Sequence, residues 1–224
     1  MCFGYGRIIV LSFQVPIITT PSYQQTLKDF KIVHISDLHN KMFGENQAKL
    51  LSQVAELSPD IIIVTGDLVD RRKFDLDTAL YFINGAVEIA PTYYVSGNHE
   101  AWSGKYPQVT HSLMEAGVYI LDDTALELSK GNSTIQILGL SDPDFLTSNY
   151  LDGTNTSKLE EQLKEWSKSD KFKLLLSHRP ELFDLYCENN IDLIFSGHGV
   201  YFETELGGSR KIESPRGKLI PRIC

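Results

Sequence analysis

The stretch Asp60-Ile61-Ile62-Ile63-Val64-Thr65-Gly66-Asp67-Leu68-Val69-Asp70-Arg71 decides the fold. Its first half is an apolar, β-branched run of the kind found in strands covered on both faces. Gly66 breaks the run, and Asp67, Asp70 and Arg71 follow at once. In open α/β sheets, functional groups gather outside the carboxyl ends of such strands. The same organisation recurs on either side. Residues 31–36 read as a buried strand ending in Asp37-Leu38-His39, and residues 93–96 as a third ending in Gly97-Asn98-His99-Glu100. Helical patterns lie between them. Residues 46–57 place Leu50, Leu51, Val54 and Leu57 on one face, and residues 76–89 place Leu80, Ile83 and Val87 on one side before Pro91 stops the helix.

Further along, a helix is predicted over 107–116, with Gly117 in the position of a C-terminal cap. The alternating segments 124–129 and 134–140 form a hairpin around Lys130-Gly131-Asn132. A helix over 157–167 precedes two more buried strands, 172–177 and 192–196, with a helix near 181–189 between them. The first of these strands runs into His178 and the second into Gly197-His198. Repeated strand–helix–strand units imply a largely parallel sheet with helices on its faces, and the hairpin adds a second, more antiparallel sheet. A chain of 224 residues suits a single domain, 1–224.

The formal net charge is −8, which gives no general attraction to nucleic acid or anionic membrane. No protein partner is indicated either. A phosphate substrate stays open, because bound divalent cations reverse the local field. Cys2, Cys187 and Cys224 are scattered and form no CxxC pair, so neither a disulfide framework nor a thiolate metal site is expected. A reducing, cytoplasmic setting follows, with peripheral attachment to a membrane as the alternative. The apolar run 8–13 is interrupted by Gln14 and Pro16; it is too short to span a bilayer and reads as an edge strand.

Each charged strand end has an ordinary reading as a turn or a hydrogen-bonded core histidine. Their joint order does not: every core strand delivers a carboxylate, amide or imidazole to the same edge. Carboxylate and imidazole without thiolate suit Mn, Fe or Zn. Two such ions roughly 3.5–4 Å apart clamp a phosphoryl group and activate water, and they need a bridging carboxylate. Asp67, on the central strand, is placed for that. His34, inside a strand, and His111, inside a helix, read as structural. Trp102, Tyr106, Phe145 and Tyr150 lie in loops that either line a pocket or pack.

These motifs resemble the calcineurin-like metallophosphoesterases, with the bacterial YkuE-type phosphoesterases as the nearest likeness. The family pattern is Asp-x-His, Gly-Asp-x-x-Asp-Arg, Gly-Asn-His-Glu, His, then Gly-His-x-His, and it is matched in order from about Phe30 to His198. The resemblance implies an α/β two-sheet sandwich of mixed strands flanked by helices, a four-layer αββα arrangement. It implies two divalent metal ions and hydrolysis of a phosphomonoester or phosphodiester by a metal-bound hydroxide. Asp37 and His39 would hold the first ion, Asp67 would bridge, and Asn98, His178 and His198 would complete the second. His99 would protonate the leaving oxygen or stabilise charge there, Asp70 would orient His99, and Arg71 would contact phosphate.

The pattern breaks at its last motif. Val200 stands where the second histidine belongs, and no histidine follows His198. The first ion is therefore expected to be weakly held. The part of the chain after about 198 is read as divergent, truncated or frame-shifted, or else Glu203 or Glu205 supplies the missing ligand. Two other functions stay open: a metal-binding protein with impaired or no catalysis, and a small-molecule-binding module whose acidic loops only resemble a metal site.

Overall fold

The computed structural model describes residues 11–14, 30–130, 133–147, 154–198 and 222–223. Val200, Glu203 and Glu205 lie outside them, as do Tyr150 and the hairpin tip Gly131-Asn132.

Two five-stranded sheets face one another. The first has the order β1 (Leu11–Gln14), β2 (Lys31–Ile35), β3 (Ile61–Thr65), β4 (Thr92–Val95), β5 (Tyr119–Ile120). Only β1 runs antiparallel, pairing Leu11 with His34 at the sheet edge, where the apolar run near the start of the sequence was expected. The second sheet has the order β10 (Arg222–Ile223), β9 (Leu193–Ser196), β8 (Lys173–Ser177), β7 (Ser133–Gly139), β6 (Thr124–Lys130). Its hairpin is antiparallel, and β7–β8–β9 are parallel.

Three apolar layers hold the sandwich together. Ile32, Ile63, Val95, Ile137, Leu174 and Phe195 fill the space between the sheets. On the outer face of the first sheet, Val33, Ile62 and Tyr94 meet Leu50 and Val54 of α1 (Ala48–Leu57) and Ala79, Phe82, Ile83 and Ala86 of α2 (Leu76–Ile89). On the outer face of the second, Leu138, Leu175 and Ile194 meet Leu159, Leu163 and Trp166 of α5 (Ser157–Trp166) and Tyr186 of α6 (Phe183–Glu188). This is the αββα order expected. Strands β3 and β8 are buried at every position, which is why their centres read as apolar runs, with Lys173 buried at the start of β8.

The helices follow their sequence signals closely. Asp75 caps α2, its Oδ1 accepting from Thr78 N (3.2 Å). Pro107 sits in the first turn of α4 (Tyr106–Glu115), where its missing N–H costs nothing. A short helix, α3 (Asn98–Ser103), begins directly at the Gly-Asn-His-Glu motif and had no periodic signal of its own. One expectation is corrected: Cys187 is disulfide-bonded rather than free, and its partner lies outside the described residues.

Candidate metal centre

The carboxyl ends of β2, β3 and β4 in one sheet, and of β8 and β9 in the other, open onto a single cluster. After β2 and β3 the chains stay in register through loop hydrogen bonds: Asp37 N donates to Gly66 O (3.1 Å) and His39 N to Asp67 O (2.9 Å). Asp37, His39, Asp67 and His198 all adopt left-handed backbone conformations, with φ between 45° and 58°. Non-glycine residues take up such φ at a cost, and they concentrate at functional sites. Gly66, at φ 83°, lies against Gly97: a Cβ on Gly66 would sit 2.5 Å from Gly97 N, and one on Gly97 would sit 2.3 Å from Asp67 Oδ1. No larger residue fits either position.

Asp67 is the centre of the cluster. It is 2 % exposed. Its Oδ1 accepts from His99 N (2.9 Å), while its Oδ2 lies 3.4 Å from His39 Nε2 and 3.3 Å from His178 Nε2. Burial opposes its ionisation, yet the charge and hydrogen bond of His178, with His99 and His39, hold the carboxyl well below the usual carboxylate range. The converse holds for His178. Burial disfavours its charge, but Asp67 outweighs burial and pushes it up to about 10. His178 Nδ1 faces the Thr65 carbonyl (2.6 Å), which can only accept, so Nδ1 carries a hydrogen and Nε2 is turned into the cluster.

Asn98 Oδ1 lies 3.2 Å from His178 Nε2 and 2.8 Å from His198 Nδ1, and the two imidazoles approach to 3.2 Å between His198 Nδ1 and His178 Nε2. His39 is half-buried. Burial opposes its charge, but the hydrogen bond it donates to Asp37 and the charges of Asp67 and Asp37 raise its pKa overall. Its Nδ1 is buried with no hydrogen-bond partner among the described residues. Ligand atoms of Asp37, His39 and Asp67 all lie within 4.8 Å of one another, as do those of Asp67, His178 and His198. A buried carboxylate between two sets of imidazoles is the donor set that a pair of divalent cations fits.

His99 lies beside the cluster, its ring centroid 4.3 Å from that of His39. Burial lowers its pKa, so the neutral ring prevails near neutral pH. Its Nδ1 accepts from the Arg71 backbone N–H (3.2 Å), which leaves the hydrogen on Nε2. Asp70 is 4.0 Å from Nδ1 and spends its Oδ1 on Arg72 N (2.7 Å) and Lys73 N (3.2 Å). Asp70 therefore acts on His99 through charge, and the backbone of Arg71 supplies the hydrogen bond.

Two contributions were missed by reading the sequence. Glu100 is fully buried, and its carboxylate accepts from Asp67 N (2.8 Å), Gly97 N (2.8 Å) and Val69 N (3.1 Å). It pins the loops after β3 and β4 together. Burial and the Asp67 charge raise its pKa to about 7. A glutamate three residues after a helix-capping position was the signal available for it. The second is Arg179, whose guanidinium forks onto the buried Asp142 (2.7 Å to each oxygen) and donates to His198 Nε2 (3.3 Å). The remaining candidates pack elsewhere. His34 Nε2 meets Thr65 Oγ1 (2.7 Å) between the sheets, and His111 is exposed on α4, 3.5 Å from Glu115. Trp102 Nε1 donates to Asp144 Oδ2 (2.7 Å), and Tyr106 packs on Phe145 with its hydroxyl on Asp122.

The two-sheet sandwich brings carboxylates, an amide and imidazoles together at its strand ends. The family profile described as Calcineurin-like phosphoesterase matches residues 30–201, and the chain belongs to that family. An uncharacterized metallophosphoesterase of Campylobacter jejuni is 31% identical over 76% of this chain and 44% of its own length. One of Aquifex aeolicus is 30% identical over 78% of this chain and 65% of its own. A protein of Bos taurus named transmembrane protein with metallophosphoesterase domain is 28% identical over 84% and 44% respectively. The chain thus spans less than two thirds of the length of these curated relatives. Among its own described residues, no helix is long and apolar enough to cross a membrane.

Proposed function

We propose that this chain hydrolyses a phosphomonoester or phosphodiester with two divalent cations. Asp37 and His39 hold one ion, Asn98, His178 and His198 hold the other, and Asp67 bridges them. The observation that carries this reading is Asp67 Oδ2, 3.4 Å from an imidazole of one set and 3.3 Å from an imidazole of the other. When bound, such ions polarise phosphoryl oxygens and make water a nucleophile at neutral pH. The residues of the chain supply the rest. Glu100 fixes the backbone on which Asp67 stands. His178, anchored on the Thr65 carbonyl, presents Nε2 beside Asp67, and would give up its Nε2 proton to act as a ligand. His99 points Nε2–H at the leaving oxygen: the neutral ring stabilises the charge there through a hydrogen bond, and a ring protonated with help from the Asp70 charge transfers the proton and returns to neutral. Arg71 contacts the phosphate. Mn, Fe and Zn all suit the donor set.

A second reading, a metal-binding protein with little catalysis, draws on Val200 in place of the family's last histidine. Turnover of p-nitrophenyl phosphate and bis-p-nitrophenyl phosphate by metal-stripped protein, before and after adding Mn, separates the two. Turnover that rises with Mn supports the hydrolase; bound Mn without turnover supports the second. Placement in the cytoplasm or at the periphery of a membrane is likewise a proposal, and the Bos taurus relative's name supports only the latter.

A further inference from the structure

On its His39 and His99 side the cluster is bordered by a run of cations. Residues 70–73, which follow β3 and Asp67, are tied down beside both rings. Arg71 N donates to His99 Nδ1 (3.2 Å), Asp70 N donates to Asn40 Oδ1 (3.2 Å), and Asn40 Nδ2 donates to the Lys73 carbonyl. Asn40 follows His39 directly, and the His39 and His99 ring centroids are 4.3 Å apart. Arg71, Arg72 and Lys73 therefore stand in succession at the edge of the site. A fourth cation comes from just beyond the end of α3: Lys105 Nζ lies 4.3 Å from the centroid of the Phe74 ring, and Phe74 follows Lys73. Arg72, Lys73 and Lys105 are exposed, and Arg71 is half-buried. The carboxylates of this segment are committed elsewhere. Asp70 Oδ1 accepts from Arg72 N (2.7 Å) and Lys73 N (3.2 Å), and Asp75 accepts from Thr78 N (3.2 Å) and Thr78 Oγ1 (2.8 Å) at the start of α2. Among the described residues these four cations make no ion pair, whereas Lys158, Lys168 and Lys171 each hold a carboxylate. In a chain whose formal net charge is −8, the edge of the site is a local reversal of sign.

We infer that Arg72, Lys73 and Lys105 bind a second phosphoryl group of the substrate, so that the chain acts on a small molecule carrying two phosphates, one at the metal centre and one at this rim. The inference rests on the hydrolase reading above, in which Arg71 serves the phosphate at the metals and His99 faces the leaving oxygen. Because the rim adjoins His99, the second phosphate belongs to the alcohol that leaves. The P–O bond to that alcohol breaks, water supplies the new oxygen on phosphorus, and the alcohol takes a proton and carries the second phosphate away. The guanidinium of Arg72 matches phosphate oxygens with paired donors, and the two ammonium groups add charge without demanding one orientation. A long polyanion suits the rim less well, because the acidic remainder of the surface repels it.

The test reads binding and turnover separately on the full chain with Mn added. Binding is measured by calorimetry with linear alkane bisphosphonates of graded chain length and the matching monophosphonates, whose C–P bonds are not hydrolysed. Each exposed charge contact is worth a few-fold at most, so the best-fitting bisphosphonate should bind about tenfold more tightly than its monophosphonate, beyond the doubling that two equal ends give. Arg72→Gln combined with Lys73→Gln should bring the ratio down to that doubling. Lys164→Gln combined with Lys168→Gln, around the end of α5 on the other sheet, removes the same charge and should leave the ratio unchanged. Turnover of the matching alkanediol bisphosphates and alkyl phosphates should show the same preference in kcat/KM. A ratio no greater than the doubling at every chain length overturns the inference, and so does a ratio that survives Arg72→Gln with Lys73→Gln. Equal losses in both double variants would reflect only net charge and overturn it as well. Oligothymidylate binding more tightly than every bisphosphonate overturns the assignment to a small molecule. If nothing is hydrolysed while the bisphosphonate ratio and its loss are found, the hydrolase reading fails and the rim stands; if the phosphates are turned over without preference, the rim fails and the hydrolase reading stands.

Discussion

The two halves of the cluster are built to different standards. In the half made by Asn98, His178 and His198, the imidazoles are braced by groups outside the cluster: Thr65 O holds His178, and Arg179 holds His198. His178 is fully buried. In the half made by Asp37 and His39, the side chains are 15 % and 21 % exposed, and His39 Nδ1 has no partner among the described residues. Asp67 belongs to both. The difference shows that a strand-end motif delivers a ligand to the right place but does not by itself fix its orientation. Orientation comes from a further layer of hydrogen bonds, which this chain supplies mainly on one side.

Asp67→Asn should erase the difference between the halves, because it removes the carboxylate they share while nearly preserving shape. Most bound metal and all measurable hydrolysis should disappear, with the circular dichroism of the fold retained. Two metals per chain in that variant would refute a shared bridge.

His99 belongs to neither half, so His99→Asn should leave metal content untouched and cost rate alone. The loss should be on the order of 10²–10⁴ for a poor leaving group, the usual range for positioned acid catalysis, and smaller for p-nitrophenolate. Metal loss as large as that of Asp67→Asn would make His99 a ligand instead.

The asymmetry itself is measurable. A missing imidazole removes a direct bond, so the two sites should differ by more than the ~10–100-fold typical of outer partners. One Mn should survive dialysis while the other needs excess metal, and Val200→His should narrow the gap. Two equally tight sites in the unaltered chain would mean that another residue replaces the histidine.

The smallest effect concerns pH. With its pKa raised from 6.5 to about 10, charged His178 stabilises the metal-free fold fully below pH 6.5 and loses that contribution as pH rises through about 10. The melting temperature of metal-free protein should therefore fall between pH 7 and 10, by several degrees at most, and His178→Asn should flatten the slope. Mn affinity should move the other way and rise with pH, since the ion competes with that proton.

The strand ends were legible because full burial gives β3 and β8 apolar centres, Ile61 to Val64 and Leu174 to Leu176, with the motif residues gathered just beyond them. Asp37, His39, Asp67, Asn98, His178 and His198 could be named in order for that reason. The hydrogen bonds behind them were not legible. Arg179 meets Asp142 across 37 positions of sequence, and neither residue carries a local signal. Glu100 was visible as part of a motif, but its grip on Asp67 N depends on β3 and β4 lying side by side. Strand β5, with two residues, and α3, with six, are too short to show a period.

The division of ligands between the sheets has a consequence for how the protein is made. Asp37, His39, Asp67 and Asn98 follow strands of the first sheet, and His178 and His198 follow strands of the second. A chain emerging from the ribosome completes the first set at Asn98, 80 residues before the second begins at His178 and 100 before it is complete at His198. During that interval the early set lacks the imidazoles that the braced half contributes. On the ligand set proposed above, tight capture of a cation would wait until the two sheets have docked, and metal uptake would mark the closing of the sandwich.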